Sequence, residues 1–246
     1  MAKIWFITGV SRGFGRLWAE AALERGDSVA ATARDVKTLA PLVDKYGERI
    51  LPIALDVTDR AAGFAAIAAA HERFGRLDIV INNAGYGQFG AVEEISEAEA
   101  RAQLETNVFG ALWITQAALP ILRAQKSGHI IQISSIGGIA AFANVGLYHA
   151  SKWALEGFSE AMAIEVAPFG VHVTLVEPAG FSTDWSGASA KHATPNPAYD
   201  AAREARAARV KANPQGEPGG SVKAILALVD APEPPLRLML GSAAVR

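Results

Sequence analysis

The chain has 246 residues, half of them hydrophobic and a fifth charged, with a net charge of −2; that length and apolar content can bury a large core unaided, and an unbroken strand–helix alternation reads as one domain over 1–246. With no cysteine, disulfides and thiolate metal sites are excluded, and no two of His71, His129, His149, His172 and His192 stand one helical turn apart, so no metal site is expected. The near-neutral charge without a Lys/Arg cluster argues against nucleic acid, and apolar runs too short for a signal core (residues 4–7) or a bilayer span (61–70) predict a cytoplasmic protein off the membrane.

Ile4-Trp5-Phe6-Ile7 is a continuous apolar run stopped by Thr8-Gly9, the pattern of a central parallel strand covered on both faces. Similar runs at 28–32, 50–55, 77–81, 130–133 and 171–176 are each separated by enough chain for a crossover helix, which predicts an α/β fold with a doubly wound parallel sheet. Gly26, Gly47, Gly75 and Gly170 lie just before new strands, where helix-ending glycines belong. After Thr183 the alternation fails. An Ala-, Ser-, Pro- and Asn-rich stretch at about 184–220 is expected to form a lid, with a short helix at 199–211. A helix at 221–229, a Pro-rich joint at 232–235 and a strand at 236–240 follow.

Thr8-Gly9-Val10-Ser11-Arg12-Gly13-Phe14-Gly15 joins the first strand to the first helix. Its three glycines let the backbone approach a pyrophosphate while the helix N-terminus faces the charge. A glycine cluster alone also serves tight turns, but its place in a βαβ unit points to a dinucleotide. The end of the second strand chooses between NAD and NADP, because an acid there bonds the ribose 2′-hydroxyl and repels a 2′-phosphate. Here the residues are Thr32-Ala33-Arg34. With Ala33 where the acid would align, Arg34 beside it and Arg12 in the loop, two guanidiniums can hold a 2′-phosphate, so NADP(H) is expected. The alternative is Asp35 as a ribose partner displaced by one position; Asp35 reads better as an N-cap.

These residues, and others along nearly the whole chain, resemble the short-chain dehydrogenase/reductase family. The family's TGxxxGxG loop has its counterpart at 8–15, its adenine-contacting Asp-Val at Asp56-Val57, and its NNAG segment at Asn82-Asn83-Ala84-Gly85. The active-site tetrad is matched by Asn107, Ser135, Tyr148 and Lys152, the last two as YxxxK. The resemblance implies a Rossmann-like sheet of about seven strands. It implies cofactor contacts from Gly9, Ser11, Arg12, Gly13, Phe14 and Gly15, from Arg34, Asp56 and Val57, and from Asn83, Ala84 and Gly85. Tyr148, Lys152, Pro178, Gly180, Phe181 and Thr183 complete that set. Relatives also suggest a homodimer or homotetramer, paired through long helices at 95–122 and 148–166.

Tyr148 and Lys152 stand one turn apart and so share a helix face. A phenol titrates near ~10, so bringing it close to neutrality asks for roughly 3 pH units, about 4 kcal/mol, which a neighbouring ammonium is expected to supply. In the family-like mechanism Tyr148 gives its proton to a carbonyl oxygen as hydride arrives, and Ser135 holds that oxygen. Lys152 would bond the nicotinamide ribose and Asn107 a water leading to solvent. Singly, each has a plain structural role: a helix-start aromatic, a solvated lysine, a turn serine, a mid-helix irregularity. Together, and downstream of the glycine loop, they point to catalysis. His149 and Ser134 read as structural.

The family's Pro-Gly after the sixth strand is here Pro178-Ala179-Gly180, the glycine displaced by one, while Thr183 keeps the place of the carboxamide-binding threonine. Leu238-Met239-Leu240-Gly241 lacks the ending common in acyl-carrier-protein ketoreductases, which argues against a fatty-acid-synthesis role. Gln88, Phe89, Ile136, Phe142 and Trp185 are expected around the carbonyl, an apolar setting suited to a hydrophobic ketone, aldehyde or secondary alcohol. Arg203, Arg206 and Arg209 recur at helical spacing and read as a solvated face rather than an anion site. The expected function is therefore an NADPH-dependent carbonyl reductase of small molecules, retinoid-, steroid- or terpenoid-like, reversible as an alcohol dehydrogenase. A catalytically silent NADP(H)-binding redox sensor is disfavoured by the intact tetrad, and an NAD-dependent alcohol dehydrogenase by Ala33 and Arg34.

Overall fold

The first apolar run forms β1 (Ile4–Ile7), and its side chains alternate between two cores: Trp5 and Ile7 pack on one face, Phe6 on the other. The computed structural model describes residues 2–183, 185, 187, 189–213 and 215–241. After β1 come α1 (Gly13–Glu24), β2 (Ser28–Ala33), α2 (Ala40–Tyr46), β3 (Ile50–Ala54), α3 (Arg60–Phe74) and β4 (Ile79–Asn82). β5 (Gln88–Phe89), α4 (Glu97–Leu104), α5 (Gly110–Gln125), β6 (Gly128–Ile133), α6 (Gly146–Val166) and β7 (Val171–Pro178) follow. The chain then runs through β8 (Lys191–His192), α7 (Asp200–Ala212), α8 (Ser221–Asp230) and β9 (Arg237–Leu240).

Seven strands form one parallel sheet in the order β3-β2-β1-β4-β6-β7-β9, the expected Rossmann-like architecture. The order reverses between β1 and β4, where Ile7 pairs with Ala31 on one side and Ile81 on the other. Crossovers diverge there, so a crevice opens beyond the strands' carboxyl ends. One core joins the sheet to Trp18 and Leu23 of α1, Leu42 of α2 and Ile225 of α8; the other joins it to Ile67 of α3, Ile114 of α5 and Met162 of α6. Truncating such a fully buried Leu or Ile to Ala costs about 2–5 kcal/mol.

Local chemistry sets the helix ends. Asp59 caps α3 by accepting from the Ala62 amide, and Gly75, at φ 78°, ends it in the left-handed conformation that favours glycine. Ser96 and Glu99 form a reciprocal capping box at α4.

Two expectations need correction. The helix expected at 95–122 is two helices, α4 and α5, joined by a π-helical turn at Glu105–Phe109. The helices turn this way where Gly110 meets Val57: a Cβ on Gly110 would lie 2.6 Å from Val57 Cγ2. The segment after Thr183 also carries β8, which pairs with β5 in a separate two-stranded sheet. Residues 184, 186, 188 and 214 of the expected lid lie outside the described residues. Among the described residues no helix is long and apolar enough to cross a membrane, and no group of three or more His, Asp or Glu is placed to hold a metal ion.

Candidate active site

The glycine loop is tied to the end of β4. Thr8 Oγ1 accepts from the amides of Asn83 and Ala84, at 2.9 Å each, while Asn83 Nδ2 donates to the carbonyls of Thr8 (2.8 Å) and Gly9 (3.1 Å). Gly15 makes that fit possible: a Cβ there would lie 2.5 Å from both Asn83 Nδ2 and Gly9 O. It lies beneath the loop, away from the crevice surface. Gly13, at φ 60°, has open space where its Cβ would be, and among the described residues no side chain caps the N-terminus of α1. Backbone donors there can meet an anion at close range.

The crevice is a cavity of about 1390 Å³ that runs from Arg34 and Asp56 past the glycine loop to Tyr148 and on to α7. Its walls include Gly9, Ser11, Arg12, Gly13 and Phe14 of the loop, Arg34, Asp56 and Val57 at one end, and Asn83, Ala84 and Gly85 in the middle. Ser135, Ile136, Phe142, Tyr148, Lys152, Pro178, Gly180, Phe181, Thr183 and Trp185 also face it. The cleft thus gathers most of the residues expected at the site. At the Arg34 end, Ala33 is buried, and Asp35 turns its carboxylate to the Lys37 amide at 3.0 Å as the N-cap of a short 3₁₀ turn. Asp56 accepts from the amide and hydroxyl of Thr58 at 3.0 and 2.8 Å.

Ser135 follows β6, and its Oγ accepts from the Gly137 amide at 3.0 Å. The loop beyond it is held by His149, whose Nδ1 lies 2.9 Å from Gly137 O and whose Nε2 accepts from the Phe142 amide at 2.9 Å. That pairing fixes a neutral ring with the proton on Nδ1, in line with burial lowering its pKa. His149 is therefore the structural brace expected of it.

Tyr148 and Lys152 lie on the buried face of α6, with Lys152 Nζ 5.8 Å from the centre of the Tyr148 ring. Lys152 Nζ donates to Ile133 O at 2.7 Å, and burial brings its pKa down to about 8 against the opposing pull of Glu156. Burial pushes the Tyr148 phenol up to about 12, with the Ser135 hydroxyl drawing it back in part. This direction reverses the lowering expected from the sequence. The cost of desolvating a phenolate dominates, and the ammonium that would offset it is turned toward a backbone carbonyl.

Asn107 sits in the π turn, where the displaced hydrogen-bond register aims its side chain inward. Its Oδ1 accepts from the Tyr86 amide at 3.1 Å, and its Nδ2 donates to Tyr86 O (3.0 Å) and Ser151 Oγ (3.1 Å). The amide holds the Gly85–Tyr86 backbone rather than facing the cavity.

Gln88 and Phe89 are not brought to the cavity. Both are buried in β5: Gln88 bonds Gln103 and Glu99, and Phe89 packs between Trp185 and His192. Pairing of β5 with β8 makes them the floor beneath the pocket. The arginines of α7 also fail to form one solvated face. Arg203 is ion-paired with Glu94 and Asp200, whereas Arg206 and Arg209 line the cavity. Tyr86 and Lys191, which the sequence does not single out, line it too.

Comparison with known proteins matches residues 3–194 to the model described as short chain dehydrogenase. The chain belongs to the short-chain dehydrogenase family. Oxidoreductase BOA17 of Botryotinia fuckeliana is 47% identical over 249 residues, covering 100% of this chain and 91% of that protein. A short-chain dehydrogenase from Streptomyces avermitilis superposes with a TM-score of 0.93 at 43% identity, covering 99% of this chain and 90% of that one. An alcohol dehydrogenase from Thermococcus sibiricus, solved with 5-hydroxy-NADP, has a TM-score of 0.83 at 28% identity over 100% of this chain and 99% of its own. A Burkholderia phymatum member solved with NAD has a TM-score of 0.86 at 25% identity, over 99% and 90%. Solved relatives of this short-chain dehydrogenase thus hold either NAD or an NADP derivative.

Proposed function

We propose that this short-chain dehydrogenase is an NADP(H)-dependent carbonyl reductase, reversible as a secondary-alcohol dehydrogenase, with Tyr148 as its general acid and base. The observation that carries the reading is convergence: Ser135, Tyr148 and Lys152 face the same cavity as the glycine loop and Arg34. The uncapped α1 terminus and the open side of Gly13 fit a pyrophosphate. Gly9, Ser11, Arg12 and Phe14 would flank it, Asp56 and Val57 would meet the adenine, and Asn83, Ala84 and Gly85 the adjoining ribose side. Pro178, Gly180, Phe181 and Thr183 would hold the carboxamide end. The displaced glycine is accommodated, since Ala179 keeps its amide on Leu240 O at 2.9 Å with no left-handed backbone. Ala33 with Arg34 at the cavity, and Asp35 spent on a cap, favour a 2′-phosphate over a bare ribose.

A bound nicotinamide supplies the hydride. Tyr148 then has the proton to give, because a phenol pushed up to about 12 is protonated at neutral pH. Ser135 Oγ holds the carbonyl oxygen as charge gathers on it. After transfer, Lys152, with a pKa of about 8, can return a proton to the phenolate and recover one from solvent. Asn107 positions the Tyr86 backbone beside this pair through its hydrogen bonds. The apolar walls at Ile136, Phe142 and Trp185 suit a hydrophobic carbonyl compound at the reacting end.

The test is consumption of NADPH and NADH, in parallel, against apolar ketones and aldehydes. A charge-assisted contact is worth about 1.5–3 kcal/mol, so Arg34→Ala should weaken NADPH roughly 10- to 100-fold and leave NADH nearly unchanged. Equal weakening of both cofactors would overturn the NADP(H) assignment, and silence with tight NADPH binding would favour a redox sensor.

A further inference from the structure

The lid end of the cavity carries positive charge that the proposed reaction does not use. α7 presents Ala202, Ala205, Arg206, Arg209 and Val210 to the cavity, one stripe at three- and four-residue spacing. Arg203, just off that stripe, is neutralised by Glu94 and Asp200. Arg206 and Arg209 form no ion pair among the described residues. Their guanidiniums lie over aromatic rings instead, Arg206 Cζ at 4.8 Å from the centre of Phe89 and Arg209 Cζ at 4.5 Å from that of Phe142. A cation–π contact does not use up the five N–H donors of a guanidinium, which keeps donors for an acceptor. Phe142 belongs to the loop that His149 braces behind Ser135, so the two cations lie on the substrate side of the tetrad.

The charges facing this pair are few. Lys191 lines the same wall, over the Tyr86 ring at 4.8 Å, and Glu99 lies near enough to Lys191 to feel its charge. Among the described lining residues the sole carboxylate is Asp56, at the opposite end beside Val57 and Thr58. Burial first and the neighbouring Arg209 second disfavour the charge on Arg206, which is half-buried, whereas Arg209 is exposed at the cavity rim. Two neighbouring like charges repel, more so where one of them is half-buried, and an anion shared between them offsets that cost.

Building on the carbonyl-reductase reading, we propose that Arg206 and Arg209 form an oxyanion subsite, so that the substrate is a carbonyl compound bearing a carboxylate or phosphate beyond its reacting, apolar portion. The reacting carbonyl meets Tyr148 and Ser135 while the anionic end reaches α7. This departs from the wholly apolar substrate read from the sequence, and it makes α7 a specificity element.

The experiment compares 4-acetylbenzoate, its neutral methyl ester and 4-acetylphenyl phosphate, by turnover with NADPH and by calorimetric binding to the NADP⁺-loaded protein. Arg206→Gln/Arg209→Gln is set beside wild type and the charge-retaining Arg206→Lys/Arg209→Lys, with folding checked by circular dichroism. Wild type is expected to bind an anionic probe at least roughly tenfold better than the ester. The glutamine pair should lose roughly 10- to 100-fold of that affinity, with ester and NADPH binding unchanged and partial recovery in the lysine pair. The two anionic arms separate carboxylate from phosphate. Anion-dependent binding without turnover would leave the subsite standing and sink the reductase reading. Equal binding of acid and ester, parallel losses of both, or weakened NADPH binding in the glutamine pair would overturn the subsite.

Discussion

Replacing Glu177 with glutamine is expected to stabilise the protein above neutral pH and to do little near pH 4.5. Glu177 is the penultimate residue of β7, beside Pro178, and is fully buried, and among the described residues neither carboxylate oxygen has a hydrogen-bond donor. Its counter-ion is Arg237, with Nε 3.4 Å from Glu177 Oε1, but that arginine also serves Glu156 at 3.1 Å and Glu160 at 2.7 Å. Burial first and the Glu156 charge second push the Glu177 pKa from 4.5 up to about 7, against the pull of Arg237. Between those values the folded state holds a proton that the unfolded chain has released. Stability therefore falls as pH rises from about 4.5 to about 7, and above 7 the full penalty, about 3 kcal/mol, is present. That penalty is already net of the Arg237 attraction; glutamine removes the charge but buries an amide in its place, so a net gain of about 1–3 kcal/mol is expected at pH 8. Urea unfolding of wild type and Glu177→Gln at pH 5 and pH 8 measures it. A difference that is the same at both pH values, or a loss of stability at pH 8, would show that the Glu177 charge does not destabilise the fold.

Other expectations follow from single contacts. Gly15→Ala places a Cβ 2.5 Å from Gly9 O and should cost about 1–3 kcal/mol in thermal unfolding, with weaker NADPH binding by fluorescence titration. Asp35→Ala removes only a cap, so it should cost about 0.5–2 kcal/mol and leave the NADPH/NADH affinity ratio unchanged; a selective fall in NADH affinity would restore Asp35 as a ribose partner. Asn107→Ala should lower both stability and turnover, because it frees the Tyr86 backbone and leaves buried polar groups unpaired, at about 1–3 kcal/mol. Phe109 and Trp153 are exposed beside α5 and on α6, where relatives suggested pairing; light scattering should find a dimer or tetramer, and Trp153→Glu should shift it toward monomer.

The sheet was legible because a parallel strand covered on both faces must be apolar throughout, and runs such as 130–133 and 171–176 meet that condition. The glycine loop and the Tyr148–Lys152 pair were legible because local spacing places them on one turn and one helix face. What escaped the sequence depends on partners distant along the chain. Gln88 and Phe89 became a pocket floor through β8, which lies about a hundred positions onward in β-pairing terms that no local pattern records. The three arginines of α7 look alike until Glu94 neutralises one of them. The π turn at Asn107 is a slip in backbone register that leaves the side-chain pattern almost untouched. The rise in the Tyr148 pKa reflects burial, which spacing alone does not report.

The role of Tyr148 as proton donor is tested most directly by Tyr148→Phe, assayed for NADPH binding by fluorescence titration and for carbonyl reduction in the same preparation. Removing the phenolic hydroxyl deletes the proton donor and leaves the cavity walls in place. NADPH affinity is expected to stay within about twofold of wild type while turnover falls about 10²-fold or more, the usual worth of a general acid. Turnover that survives the substitution would contradict that role.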